Sequence, residues 1–159
     1  ITEFQKRNVP VAVYAYVAGK NVEEMEKAAE SFYNSASPYN PSYYWLDVEE
    51  KTMSDMNKGV EAFRAKLESL GAKKIGIYIG VYFMEEHSIS TDKFSAIWIP
   101  SYGLDSGYFE SSPNTDLDFD LHQYTSKGKL VGFEHHLDLN LISLSKDKEE
   151  TFRKLFLKP

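Results

Sequence analysis

Residues 43–50 read Tyr-Tyr-Trp-Leu-Asp-Val-Glu-Glu. Five of the first six are aromatic, apolar or β-branched, the exception being Asp47, and the run is of strand length, so residues 43–48 read as a strand that ends in acid. Downstream, residues 54–70 place Met56, Val60, Phe63, Leu67 and Leu70 on one stripe, the pattern of an amphipathic helix, and Gly71 stops it. Upstream, Val9–Val17 (VPVAVYAYV) is a second β-branched and aromatic run. A helix follows it, with Asn21 as cap, Glu24 three residues on, and Val22, Met25, Ala29 and Phe32 sharing a face. Pro38 and Pro41 mark the turn back into residues 43–48.

Working outward, Ile75–Phe83 (IGIYIGVYF) predicts a third strand, Ala96–Pro100 a fourth, Phe119–Tyr124 a fifth and Leu137–Ile142 a sixth. From Ser145 on, Phe152, Leu155 and Phe156 have helical spacing. Near-continuous apolar strands alternating with amphipathic helices require a parallel sheet with helices over its faces, so the class is α/β. Periodicity does not separate a doubly wound sheet from a closed barrel. Gly76 and Gly80 lie inside a strand pattern rather than at a strand-to-helix turn, which argues against a phosphate loop. Residues 103–118 (GLDSGYFESSPNTDLD) are polar and turn-rich, long enough for a functional loop at one end of the sheet.

Composition removes several classes of function. A net charge of −6 without a Lys/Arg cluster speaks against a nucleic-acid partner. No apolar run approaches the length of a membrane span, and the absence of cysteine excludes disulfides and thiol nucleophiles. No signal peptide is in view, and the opening at Ile1 in the amphipathic stretch ITEFQKRNVP suggests a chain cropped from a longer one. The 11 Tyr, 10 Phe and 2 Trp fill a core or form stacking faces for sugars.

The acid-bearing strand end is the main candidate for chemistry. Alternate residues of a strand share a face, so Trp45, Asp47 and Glu49 project together and Glu50 falls in the loop. Strand C-termini are where α/β folds gather ligands and catalytic groups. Same-face carboxyls lie roughly 6.5 Å apart along a strand, between the separations of retaining and inverting glycosidases, so spacing does not choose the stereochemistry. Glycoside cleavage needs one carboxyl protonated and one ionised, and burial beside an indole with a second carboxylate nearby raises the pKa of the deeper acid. The same residues also fit an acidic strand end that meets solvent or caps a helix. A metal site would draw on His122, His135 or His136, but their spacing is not that of a zinc motif and neighbours on a strand face opposite ways, so no metal or other cofactor is expected.

Several motifs, in order along nearly the whole chain, resemble family 25 glycoside hydrolases, the Chalaropsis-type lysozymes. Asp47-Val48-Glu49 is similar to the family's D-x-E after an aromatic strand, and Ile75-Gly76-Ile77-Tyr78 to its I-x-I-Y segment. Trp98-Ile99-Pro100-Ser101-Tyr102 resembles its W-[IV]-x-x-Y strand. Gln123-Tyr124-Thr125-Ser126 with Gly128 and Gly132, then Asp138-Leu139-Asn140, resemble its closing motifs. Tyr14-Ala15-Tyr16 sits where the family has a strand ending in Tyr, often His, then an aromatic.

The resemblance implies a TIM-like β/α barrel and cleavage of peptidoglycan between N-acetylmuramic acid and N-acetylglucosamine. It implies Glu49 as general acid, with Asp47 as the partner carboxylate that orients the acetamido group or stabilises charge. Tyr14, Tyr78, Trp98, Tyr102 and Gln123 would line the groove for a glycan strand, and Asp138 would complete the acidic cluster. The setting implied is secreted or cell-wall associated. Two departures stand out: Ala15 replaces a frequent His, and the family's opening D-x-S-x-x-Q strand and the strand after it are missing. Residues 1–159 therefore read as a partial catalytic domain, from the third strand onward, about six strands of eight. The barrel edges so exposed would be covered by a preceding segment or by a second copy. A non-catalytic glycan-binding relative is the alternative, and a relative acting on another N-acetylated glycan a third.

Overall fold

The computed structural model describes residues 1–157. The elements run α1 (Thr2–Lys6), β1 (Val13–Tyr16), α2 (Val22–Ala36), a 3-10 turn (Ser37–Tyr39), β2 (Tyr44–Val48), α3 (Met56–Leu70), β3 (Ile75–Ile79), α4 (Val81–Glu86), β4 (Ala96–Pro100), β5 (Leu121–Gly128), β6 (Leu137–Ile142) and α5 (Lys148–Phe156). One curled sheet, in sequence order β1 to β6, carries them. The class is α/β, and the sheet is a half-barrel of the TIM-like type.

Local signals set the helix boundaries. The Asn21 side chain accepts the N–H of Glu24, whose carboxylate reaches back to the Lys20 N–H, so α2 starts on a reciprocal cap. Asp55 accepts from the Lys58 N–H to start α3, and Gly71, at φ +113, ends it in a conformation that costs other residues a clash. Met25 and Ala29 of α2 and Val60, Phe63 and Leu67 of α3 are then buried against Leu46, Val48, Ile75, Ile77 and Ile79 on the outer face of the sheet.

Alternation sends the intervening side chains inward. Tyr43, Trp45, Ala96 and Leu121 form a second, inner cluster, closed from below by Leu155 of α5. The Trp45 ring lies over Gly76, its register partner on β3, where a Cβ would collide with the indole. That close approach is the reason for a glycine in the middle of a strand. Between the outermost strands, the inner face opens into an apolar cleft of about 400 Å³ lined by Ala12, Trp45, Trp98, Leu121, Ile142 and Phe152 among others.

Four expectations change. The third strand was expected to reach Phe83 but stops at Ile79: Gly80 begins the helix α4, whose Phe83 and Met84 pack on the outer core and so read as apolar continuation. The sheet is not wholly parallel. β1 to β5 are parallel, but β6 runs antiparallel to β5, because residues 129–136 are too few to carry a crossover. Finally, β1 begins at Val13 rather than Val9, and β5 extends from Leu121 to Gly128 rather than covering 119–124, because its pairing with β6 continues through irregular register.

Candidate active site

Register brings the polar inner residues together. Asp47 on β2 lies beside Tyr16 on β1 and Tyr78 on β3, Tyr78 is level with Trp98 on β4, and Gln123 on β5 is level with Asn140 on β6. All are inward-facing positions: Tyr16, Asp47 and Tyr78 lie at the C-terminal ends of their parallel strands, Trp98 and Gln123 within β4 and β5, and Asn140 on the antiparallel β6. A cavity of about 140 Å³ at this end is lined by Tyr14, Asp47, Glu49, Tyr78, Trp98, Tyr102, Gln123 and Asp138. The structure thus gathers into one place all eight side chains singled out from the sequence. Trp45 is not among them: it stacks on Tyr43 at 5.1 Å and meets Trp98 edge-on at 5.6 Å, so it supports the cavity floor from within the core.

Three carboxyl groups share the cavity, and none of its other lining residues is cationic. Asp47 is the deepest. Burial, then the adjoining Glu49 carboxyl, then Asp138 push its pKa from 3.8 up to about 7, because each disfavours a second negative charge in a partly dry site. Its Oδ1 is buried and has no hydrogen-bond partner among the described residues. Glu49 stands beyond the strand end and is exposed, as is Asp138 at the start of β6.

The opposite wall is a hydrogen-bonded set of aromatic hydroxyls. Tyr78 donates to Gln123 Oε1 at 2.7 Å, and Tyr102 donates to the same oxygen. Burial, the neighbouring phenol and the carboxylates Glu49 and Asp47 raise the Tyr78 pKa far above its usual value, so it remains a donor at any working pH. With its carbonyl held by two phenols, Gln123 has its amide NH₂ left to donate. Trp98 is fixed in orientation: its Nε1 donates to Asn140 Oδ1 at 2.9 Å and its ring meets Tyr78 edge-on at 4.7 Å. Tyr14, on the edge strand, is 66% exposed. The result is a trough with two acids on one side, planar rings along it and amide and phenol donors facing the acids.

The histidines stand elsewhere. His122 is buried on the opposite face, its Nε2 2.7 Å from Ser101 O, and His135 packs on Phe133. Among the described residues no group of three or more His, Cys, Asp or Glu side chains is placed to hold a metal ion. No helix among them is long and apolar enough to cross a membrane. The sequence reading missed Asn140 as the partner of the Trp98 indole, although the motif around Asp138 contains it. It also missed the rim pair in which Tyr16 Oη donates to Glu50 at 3.1 Å.

The profile of "Glycosyl hydrolases family 25" matches residues 1–133. This chain belongs to glycosyl hydrolase family 25. As a family 25 chain it is a glycoside hydrolase. It is 79% identical, with a TM-score of 0.98, to the solved structure of the virulence factor GHIP, a glycosyl hydrolase 25 of Streptococcus pneumoniae participating in host cell invasion. That match covers 99% of this chain and 70% of the other. The catalytic domain of endolysin ply40 from bacteriophage P40 of Listeria monocytogenes shares the fold at TM-score 0.85 and 24% identity, over 99% of this chain and 76% of that one. The modular autolysin LytC of Streptococcus pneumoniae, solved with a synthetic peptidoglycan ligand, shares it at TM-score 0.67 and 18% identity, over 89% of this chain and 36% of that one. No curated protein matches the chain.

Proposed function

We propose that this family 25 domain is a peptidoglycan hydrolase that cuts the β-1,4 bond between N-acetylmuramic acid and N-acetylglucosamine, acting at the cell wall outside the cytoplasm. The observation that carries this reading is that Asp47, its pKa raised to about 7, and Glu49 line one trough walled by aromatic rings. Relatives of the same fold support the substrate class: one is an endolysin catalytic domain, and another is an autolysin solved with a peptidoglycan ligand.

In this reading the glycan lies along Tyr14, Trp98 and Tyr102, with sugar faces against the rings. Glu49, at the mouth, gives a proton to the bridging oxygen as the bond from that oxygen to the anomeric carbon breaks. Asp47 carries the pair's proton before substrate arrives, replenishes Glu49, and offers the unpartnered Oδ1 to the acetamido N–H. Water then adds its hydroxide to the anomeric carbon, and its remaining proton returns to the carboxyl pair. Tyr78, Tyr102 and the Gln123 amide supply donors toward the sugar hydroxyls and carbonyls on the opposite wall. The three acids, Asp138 included, stabilise the positive charge that develops on the ring.

Purified peptidoglycan, with release of reducing ends as the readout, tests the assignment. General acid catalysis is worth ~10²–10⁴-fold, so Glu49→Gln should lose activity on that scale and Asp47→Asn should lose much of it too. Full activity in Glu49→Gln would remove it from this role. Glycan binding by the unmodified chain with no release of reducing ends would favour the non-catalytic reading.

A further inference from the structure

The segment between β4 and β5 contains neither helix nor strand, yet Tyr102 lies in it and must be held to donate to Gln123. A tight turn does this. Asp105 N–H donates to Tyr102 O at 3.0 Å, closing the turn Tyr102-Gly103-Leu104-Asp105. Gly103 adopts φ +59 and Asp105 itself φ +52, a region where a side chain other than glycine is strained. The strain is offset by the contacts of one carboxylate. Asp105 Oδ1 accepts from Thr125 Oγ1 at 2.6 Å and from the Ser126 N–H at 2.8 Å, and Oδ2 accepts from Ser126 Oγ at 2.7 Å.

The receiving strand is shaped for this. The register between β5 and β6 shifts on both sides of Thr125, and at this irregularity the Ser126 N–H turns to Asp105. Thr125 is fully buried, and its hydroxyl also accepts from the N–H groups of Gly107 and Lys127 at 3.1 and 3.0 Å. The turn is therefore stapled to β5 at two points: Tyr102 on Gln123, and Asp105 on Thr125 and Ser126. Asp105 does not line the cavity, so its connection to the site runs through Tyr102.

We propose that Asp105 is a positioning residue for the substrate trough: by tying the Tyr102–Asp105 turn to β5, it sets where the Tyr102 hydroxyl meets Gln123. The proposal rests on the hydrolase reading above. Its effect is on glycan placement more than on proton transfer, because Asp47 stands on β2 and Glu49 just beyond its end, away from the Tyr102–Asp105 turn.

The test is steady-state kinetics of the full polypeptide on soluble peptidoglycan fragments, with thermal melts to monitor folding. Asp105→Ala should raise KM about tenfold with kcat nearly unchanged. Asp105→Asn, which keeps Oδ1 for Thr125 and the Ser126 N–H, should restore most of that loss. In a Tyr102→Phe background, Asp105→Ala should add less than about twofold, because residues acting through one contact are not additive. Ser126→Ala, which removes a single donor, should raise KM about threefold by the same logic even if Asp105→Ala fails to fold. Wild-type KM in folded Asp105→Ala or in Ser126→Ala, or an undiminished loss in the Tyr102→Phe background, would overturn the proposal. If the unmodified chain releases no reducing ends, the reading of the reaction fails instead. The same variants are then ranked by fragment affinity in calorimetry, where the same order supports the positioning role and equal affinities refute it.

Discussion

The outer and inner faces of the sheet are made from alternate residues of the same strands, and they are stabilised in different ways. On the outer face Leu46, Val48, Ile75, Ile77 and Ile79 are buried under α2 and α3, and burial of apolar area accounts for the packing. On the inner face the intervening positions are Trp45, Asp47, Gly76 and Tyr78, and order there comes from hydrogen bonds and ring contacts. A carboxyl with an unpartnered oxygen is tolerated on that face and would be a defect on the other. Along β2 and β3, departure from the apolar rule is thus confined to one face and to the C-terminal end of the strands.

The difference can be broken from either side. Leu46→Ala, on the outer face, should lose about 2–5 kcal/mol of stability, the usual cost of a cavity at a fully buried leucine, while activity per folded molecule changes little. Chemical denaturation combined with an active-fraction assay checks it. Gln123→Leu, on the inner face, removes the shared acceptor of Tyr78 and Tyr102. It should cost about 1–3 kcal/mol, because the buried Tyr78 hydroxyl loses its acceptor at 2.7 Å and keeps only the long 3.4 Å contact with Tyr102 Oη, and in contrast to Leu46→Ala it should also raise KM. Tyr14→Ala should sharpen the contrast. Exposed on the edge strand, this ring should change stability by less than about 0.5 kcal/mol, yet glycan affinity should fall measurably in calorimetry.

How far each face could be read beforehand follows from the same division. Strands β2, β4 and β6 and helices α2 and α3 are written in local periodicity, and Asn21 and Gly71 mark two of the helix ends in the sequence, whereas the Asp55 cap shows only in the structure, where α3 starts at Met56 rather than at residue 54. The end of β3 was hidden because Phe83 and Met84 stay apolar after the backbone has become helical. The direction of β6 was hidden because a side-chain period of two is the same in parallel and antiparallel pairs. At the site, the eight lining residues could be named because their motifs occur in the order of a known family. The Asp105 staple could not, since its partners lie 20 and 21 residues away and the contact exists only after β5 is folded beside the loop.

Asp47 joins the two arguments, since the environment that disturbs the inner face is also what prepares it for chemistry. Its folded pKa is raised from 3.8 to about 7, so the neutral acid is favoured by the fold. The stability this contributes is fully present below 3.8 and is lost as pH rises through about 7. Carbon-13 NMR titration of the Asp47 carboxyl follows that proton directly. A midpoint near 7 that falls toward the ordinary range in Glu49→Gln is the expected result, because the adjoining carboxylate is one of its causes. A midpoint near 4 in the unmodified chain would mean that no proton is held beside Glu49 at neutral pH, and the proposed delivery of a proton to the glycosidic oxygen would lose its source.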